Sequence, residues 1–383
     1  MNNTHSSKGK SKKSESSTFS DGDMDKYMEN LKKAAIIHKD VRQLARNKIK
    51  VGTKASELIE YIEEECKKRI INVVNNGNNV KDSPNIDNSI TYQQGSLAFP
   101  VGVSINNCVA HWTWNGKKLH DKIFGTNDVI KVDFGVNIGG AIVDSAFTHI
   151  FNDKYQPLLD ANLEVLKATI DIAGVDSRLQ DMGAFIEELV NSYEIEIDNT
   201  GKKHQLKSVM DVCGHSIGPY RVHDGKAFPN INFRNYKELF KVDYPHKIED
   251  GEYYAIEPFL STGKGRGLPI SGNNDPCTHF AINYLEANWE KMGITCDKRP
   301  FNYVRNTFGT MPFTQRWIDN KILGANPDKF RDPELLFKKL KKAGHIVFYP
   351  PIYDIPHSFV SQFEHNVLFM NEKKIVITES DDY

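Results

Sequence analysis

What this chain lacks narrows its class. No run of about 18 apolar residues occurs, so nothing in it reads as a membrane-spanning helix. The N-terminus carries no apolar segment of the kind a secretory signal needs. Five cysteines (Cys66, Cys108, Cys213, Cys277 and Cys296) are odd in number, scattered, and form no C-x-x-C pair. That pattern argues against a zinc ribbon and for reduced thiols in a cytoplasmic compartment. Charge of one sign is missing too: 49 Lys and Arg stand against 50 Asp and Glu, for a net charge of −1. No global field therefore favours nucleic acid or a membrane surface. H-E-x-x-H is absent, which leaves the helical mononuclear zinc peptidases unsupported. No short-period repeat occurs. With 383 residues, 39% of them hydrophobic, the chain can build a sizeable core.

Residues 1–24 are Ser, Lys, Asn and Gly with hardly an apolar side chain, and over residues 1–20 four Lys face one Glu. Such a stretch cannot bury enough surface to offset its ordering entropy, so it reads as a disordered arm. A basic arm could touch ribosomal RNA or simply keep the chain in solution. Residues 25–383 are long enough for one large domain or two modest ones. Ile37, Val41, Leu44 and Ile49 follow helical spacing, and a second helix is expected over Lys54–Ile71. Asn75–Asn88 is an Asn/Gly-rich loop. Strand-like runs cover Val129–Val136 and Ala141–Ile150, then helices follow over Leu159–Ile170 and Leu179–Tyr193. Strands are expected again at Val209–Val212, Tyr253–Phe259 and Phe359–Met370, and residues 283–343 read as a helical inserted subdomain. Helices and strands without regular βαβ alternation predict an α+β fold.

The sharpest local signal is VIKVDFGVNIGGAIVDSAF, two strand-like runs flanking Asn137-Ile138-Gly139-Gly140. A turn centred on Ile138-Gly139 sets Asp133 directly opposite Asp144, with Cβ atoms about 4.5–5.5 Å apart. Val132, Phe134, Val143 and Ala146 suggest that this ladder is internal. Two ionised carboxylates there need a cation, or one must keep a proton. The alternative is a solvated hairpin in another register. Glu257 in EYYAIEPF and Glu364 in SFVSQFEHNVLF lie in similar apolar, β-like runs, where carboxylates are rare unless paired or metal-bound. Taken singly, each also fits the polar face of a half-buried strand.

His215 in CGHSIG is flanked by glycines that let backbone approach a site, and His111 in NNCVAHW and His223 in YRVHDG have apolar neighbours. Any one of them could be a satisfied core histidine. Four carboxylates and one imidazole make an oxygen-rich set, suited to Mn, Fe or Co and less typical of structural Zn. Gly214-His215-Ser216-Ile217-Gly218 matches the G-x-S-x-G nucleophile elbow, but Pro219 sits where the following helix should run and no HGGG-like segment exists. Ser261–Gly265 (STGKG) hints at a phosphate loop, yet Pro258 occupies the position of the first Walker glycine.

The order Asp133, Asp144, His215, Glu257, Glu364 resembles that of the pita-bread metalloenzymes. The likeness to type 2 methionine aminopeptidases runs through AFPVGVSINNCVAH, KVDFGVNIGGAIVDSAFT, GHSIGPYRVHDGK, GEYYAIEPF followed by STGKG, YPPIYDI, QFEH and the closing DDY. The resemblance implies a pita-bread fold with the helical insert of the type 2 class. It further implies two divalent metal ions, Mn, Co or Fe with Zn as an alternative, one held by Asp144, His215, Glu257 and Glu364. Asp133, Asp144 and Glu364 would hold the other. A water bridging the metals would attack the carbonyl after methionine, with Glu257 accepting its proton and His111 and His223 donating hydrogen bonds to the substrate or intermediate. Phe99, Val222, His279 and Tyr349 match positions lining the methionine pocket; His111 and His223 would also touch substrate. The substrate would be a nascent polypeptide starting with Met and followed by a small residue. A cytoplasmic monomer, with its arm as a candidate ribosome contact, is the expected form. Two other classes compete: non-catalytic pita-bread proteins, which have lost metal ligands, and proline-directed relatives, which usually carry a larger N-terminal domain.

Overall fold

Leu31, Ala34, Ala35, Ile37, Val41 and Ala45 recur at helical spacing and are all buried. They form the inner stripe of α1 (Asp21–Lys48), which packs on α2 (Ala55–Val74). The structure is a computed structural model that describes residues 21–75, 90–116, 120–197, 201–236, 244–269, 277–283, 304–318, 342 and 344–383. Because α1 begins at Asp21, residues 21–24 are helical and not part of a disordered arm. The rest of that arm, the 76–88 loop and most of the 283–343 insert lie outside the described residues.

After α2 come β1 (Gly95–Leu97), β2 (Gly102–Ile105) and β3 (Cys108–Ala110), then the long hairpin β4 (Val129–Ile138) and β5 (Ala141–Ile150). β4 is central: β1 and β2 pair with one edge and β5 with the other. α1 covers this sheet through contacts with β4 and β5. The hairpin register differs from the sequence-based one. Asp133 pairs with Ala146 and Asp144 with Gly135, so the two carboxylates are diagonal neighbours on one face. The turn residues are Gly139 and Gly140, with φ of 57° and 92°. A two-residue turn whose central residues both have positive φ suits Gly-Gly, whereas a turn on Ile138-Gly139 would force a β-branched residue into that region. Asn137 Oδ1 supports the turn by accepting from Gly140 N at 2.9 Å.

The second half repeats the scheme of a helix pair on a sheet. α3 (Gln156–Ile172) and α4 (Leu179–Asn191) are followed by a small ribbon of β6 (Glu194–Glu196) and β7 (Lys203–Gln205), then β8 (Lys207–Ser208), β9 (Cys213–Ser216) and β10 (Ala227–Pro229). The strand expected at Val209–Val212 is instead a turn that leads into β9. There Asp211 is drawn outward to accept from Arg266 Nε and Gly267 N, each at 2.8 Å. β11 (Tyr253–Ile256), β12 (Phe259–Ser261), β13 (His279–Ile282), β14 (Ile346–Tyr349), β15 (Ile352–Tyr353), β16 (Val360–Gln362), β17 (His365–Met370) and β18 (Lys373–Val376) complete the chain. One sheet runs β10-β9-β11-β17-β18 and another β16-β12-β8.

The runs expected as continuous strands at Tyr253–Phe259 and Phe359–Met370 are therefore each broken once. Ile256 pairs with His365 and Phe259 with Gln362, so the two breaks face each other across the ladder. Pro258, which has no N–H to give to a ladder, stands in one break and Glu364 in the other. A separate small core of Phe280, Ile282, Val304, Phe308, Phe313, Ile318 and Ile346 backs the β13–β14 hairpin. It is tied to α2 by the buried pair Arg316–Glu63, bonded at 2.6 and 3.0 Å.

Candidate metal centre

Asp133 and Asp144 leave the β4–β5 hairpin on the same face because diagonal positions two residues apart share a side of the pleat. Glu364 reaches them from its strand break, and its own N–H donates to Ala146 O at 3.1 Å. Ligand oxygens of Asp133, Asp144 and Glu364 all lie within 4.8 Å of one another. His215 enters from β9, whose backbone pairs with β10 and β11 at that residue. Its Nε2 lies 3.6 Å from Asp144 Oδ2 and 3.7 Å from Glu257 Oε1. Four carboxylates and one imidazole from five separate segments thus converge. Glu257 sits in the break opposite Glu364, with its main-chain oxygen held by Asn230 Nδ2 at 3.0 Å.

The electrostatics are those of a site short of positive charge. Burial pushes the Asp133 carboxyl up to about 7, although the Gln362 amide favours its ionised form. Asp144, Glu257 and Glu364 are also raised well above ordinary carboxyls, first by burial and then by one another's charge. Burial, helped by His223, keeps His215 neutral, with its pKa well below the usual value. Asp133 Oδ1 and both oxygens of Glu364 are buried without a hydrogen-bond partner. Among the described residues no Lys or Arg pairs with these four carboxylates. Hard divalent cations fit this donor set: they would supply the missing charge and occupy the unpartnered oxygens.

Asp133, Asp144, His215 and Glu257 line a cavity of about 400 Å3 that also takes in Phe99, His111, Val222, His223, His279 and Tyr349. Glu364, 1% exposed, lies just behind the wall. Every candidate site residue read from the sequence is therefore at or against one cavity. His111 follows β3 with a φ of 67°, in the left-handed region. Its Nδ1 is 3.3 Å from Pro350 O, and since a carbonyl only accepts, the ring proton is on Nδ1. Burial lowers its pKa, so the neutral ring keeps a lone pair on Nε2. That nitrogen can then accept a hydrogen bond. His223 packs edge-on to His215 at 4.1 Å and is lowered to about 4 by burial and by His111. His279 Nε2 donates to Pro100 O at 3.1 Å, and its Nδ1 lies 3.4 Å from Thr278 Oγ1. β13 pairs His279 with Tyr349 of β14, so one hairpin supplies one wall of the cavity. Ser216 is buried with its hydroxyl accepting from Lys226 N at 3.0 Å, and a turn, not a helix, follows β9. That is no nucleophile elbow.

The model of metallopeptidase family M24 matches residues 29–278. The chain belongs to that family. Methionine aminopeptidase 2 of Komagataella phaffii is 36% identical over 356 residues, which cover 92% of this chain and 70% of that one. Such identity over this length places the chain on the methionine aminopeptidase 2 branch of the M24 family. Two solved structures show the pita-bread fold. A methionine aminopeptidase from Thermotoga maritima superposes with a TM-score of 0.53 and 17% identity, covering 93% of this chain and 97% of that one. A thermophilic Arx1 gives 0.70 and 13%, covering 94% and 92%. No described helix is long and apolar enough to cross a membrane.

The sequence reading missed this M24 site's supporting shell. Gln362 Nε2 bridges Asp133 Oδ2 and Glu257 Oε2, at 3.2 Å to each. Asn366 Oδ1 accepts from Asp144 N at 2.7 Å and from the Tyr253 hydroxyl at 2.9 Å. Both lie two residues from Glu364, and strand alternation around that glutamate was the available signal.

Proposed function

We propose that this chain is a metal-dependent methionyl aminopeptidase that removes the initiator methionine from new polypeptides whose second residue is small. The observation that carries the reading is the convergence of Asp133, Asp144, His215, Glu257 and Glu364, short of positive charge, at one side of an apolar-walled cavity. Asp144, His215, Glu257 and Glu364 would hold one divalent ion and Asp133, Asp144 and Glu364 would hold the other, Mn, Fe or Co suiting so oxygen-rich a set. When bound, the ions supply an activated water and a Lewis acid for the scissile carbonyl. Glu257, whose carboxyl lines the cavity, would take up the proton lost from the attacking water. His111 offers its Nε2 lone pair to a substrate N–H, and His223 contacts the peptide beside the reacting bond.

Phe99, Val222, His279 and Tyr349 supply an apolar, partly aromatic slot that suits a thioether. With both its ring nitrogens near protein oxygens, His279 contributes ring surface more than polarity. His223, packed against His215, would limit the room for the second residue. The partners are nascent chains beginning with Met, met in the cytoplasm by a monomer whose basic arm is the candidate ribosome contact. A metal-replete assay with Met-Ala-Ser, Met-Lys-Ser and Ala-Pro peptides tests the reading. Release of Met from the first alone is expected. Efficient cleavage of Ala-Pro peptides, or of N-terminal residues other than Met, contradicts it.

A further inference from the structure

Tyr383 lies at the far end of the chain from the metal ligands in sequence, yet it is bonded to the backbone that carries two of them. Its hydroxyl is 2.7 Å from Ala146 O, two residues past Asp144, and 3.3 Å from Glu364 O. Ser145 Oγ donates to Glu364 O at 2.6 Å and lies 3.1 Å from the Tyr383 hydroxyl. A phenol has one proton, so the shorter contact makes Ala146 O its acceptor, while its lone pairs face Arg42 Nη1 at 3.1 Å. Ala146 O also takes the Glu364 N–H. The result is a closed set of bonds: Arg42 to Tyr383, Tyr383 to Ala146, Glu364 to Ala146, and Ser145 to Glu364.

The ring adds packing to this pinning. Phe363 and His365, the two neighbours of Glu364, both lie against the Tyr383 ring, at centroid distances of 5.2 and 4.8 Å. Arg42 covers the ring at 4.4 Å. That guanidinium is fully buried and is spent on the same segment, reaching both oxygens of Asp382 at 2.7 and 2.9 Å, Ser380 Oγ at 2.7 Å and Thr378 O at 3.0 Å. Arg46 adds a bond to Asp382 at 2.9 Å. Burial pushes the phenol up to about 12, so it stays a donor through the neutral range.

We infer that Tyr383, held by Arg42 and Asp382, is a positioning residue that fixes the spacing of Asp144 and Glu364 and so sets metal affinity. The inference rests on the metal-centre reading given above, and it concerns two ligands far apart in the chain, Asp144 in β5 and Glu364 in a strand break. Glu364 sits where regular pairing is interrupted: its N–H bonds to Ala146 O, and its carbonyl is met by the Ser145 and Tyr383 hydroxyls. Groups behind a ligand commonly change metal affinity or activity by about 10–100-fold when removed.

Competition with a fluorescent chelator, read alongside the melting temperature of the metal-free protein, tests this. Tyr383→Phe keeps the ring and loses the hydroxyl; Ser145→Ala removes the other donor and serves if the first variant folds poorly. The expected result is Mn or Co affinity weakened by about tenfold or more in each, with the metal-free melting temperature nearly unchanged. Wild-type affinity with a lowered melting temperature, meaning a merely structural role, overturns the inference. A wild-type protein that binds neither ion overturns the metal-centre reading itself, and the two failures are told apart by that control.

Discussion

His111 holds a left-handed backbone conformation that a bulky, non-glycine residue adopts at a cost of order 1–3 kcal/mol. Such strain persists where surrounding structure fixes it, here the Pro350 carbonyl on Nδ1 and the Tyr349 ring 5.8 Å away. Both contacts fix the ring where it lines the cavity. His111→Asn should keep the fold and the metal content and lose at least about 100-fold in kcat, the lower range for a proton-handling or hydrogen-bonding group at the reacting centre. Turnover per folded, metal-loaded molecule checks this, and wild-type turnover removes His111 from the mechanism. At this scale the candidate ligands were legible because Asp and Glu inside apolar β-like runs are unusual enough to stand out. Gln362 and Asn366 were not, since a neutral amide near a strand end has many ordinary uses. Only the contact distances distinguish them.

Among elements, the β4–β5 hairpin shows how a sequence can be read correctly in kind and wrongly in detail. Both strands are where the alternating apolar runs predicted them. Their register depends on which two residues take positive φ, and Gly139-Gly140 does so in place of Ile138-Gly139. The slip moves Asp144 from opposite Asp133 to opposite Gly135, and both carboxylates stay on one face because the shift is by two residues. Gly135 is in turn confined: a Cβ there would stand 2.5 Å from the Phe99 ring and 2.8 Å from Ala98 Cβ. Pro258 was a visible sign of the break at Glu257-Pro258; the break at Phe363-Glu364 was hidden in an apolar run that looks continuous, and pairing across the ladder reveals it.

The β13–β14 hairpin, which carries His279 and Tyr349, has its own small core and depends on Arg316–Glu63 for a tie to α2. Trp317 Nε1 also donates to Glu63 Oε1, at 2.9 Å. Phe313, three residues before Arg316, exchanges two backbone bonds with Phe280 beside His279, at 2.7 and 2.9 Å. Glu63→Gln would leave a buried guanidinium without its counter-charge, a loss of about 3–5 kcal/mol. Denaturant titration is expected to show destabilisation of that size, together with a raised KM for Met peptides. A change under about 0.5 kcal/mol would mean that the pair is not the anchor.

On the scale of the whole molecule, two halves of similar make-up, each a helix pair over a sheet, meet at one acidic centre. Asp133 and Asp144 come from the first half; His215, Glu257 and Glu364 come from the second. Direct bonds such as Asp144 N to Asn366 Oδ1 and Ser145 Oγ to Glu364 O already tie the halves there; an ion held by residues of both would add to that tie, about 2.7 kcal/mol at 100 times its Kd. The overall architecture was legible as α+β from the mixture of periodicities. The arrangement of the two halves was not, because strand order across sheets depends on contacts far apart in the chain. The central claim, that this centre does the chemistry with metal, is tested most directly by following release of free methionine from Met-Ala-Ser while Mn or Co is added stepwise to chelator-stripped protein. The account predicts no turnover at the start and a rise that saturates by about two ions per chain. Full turnover in excess chelator, on protein shown to hold no metal, would contradict it.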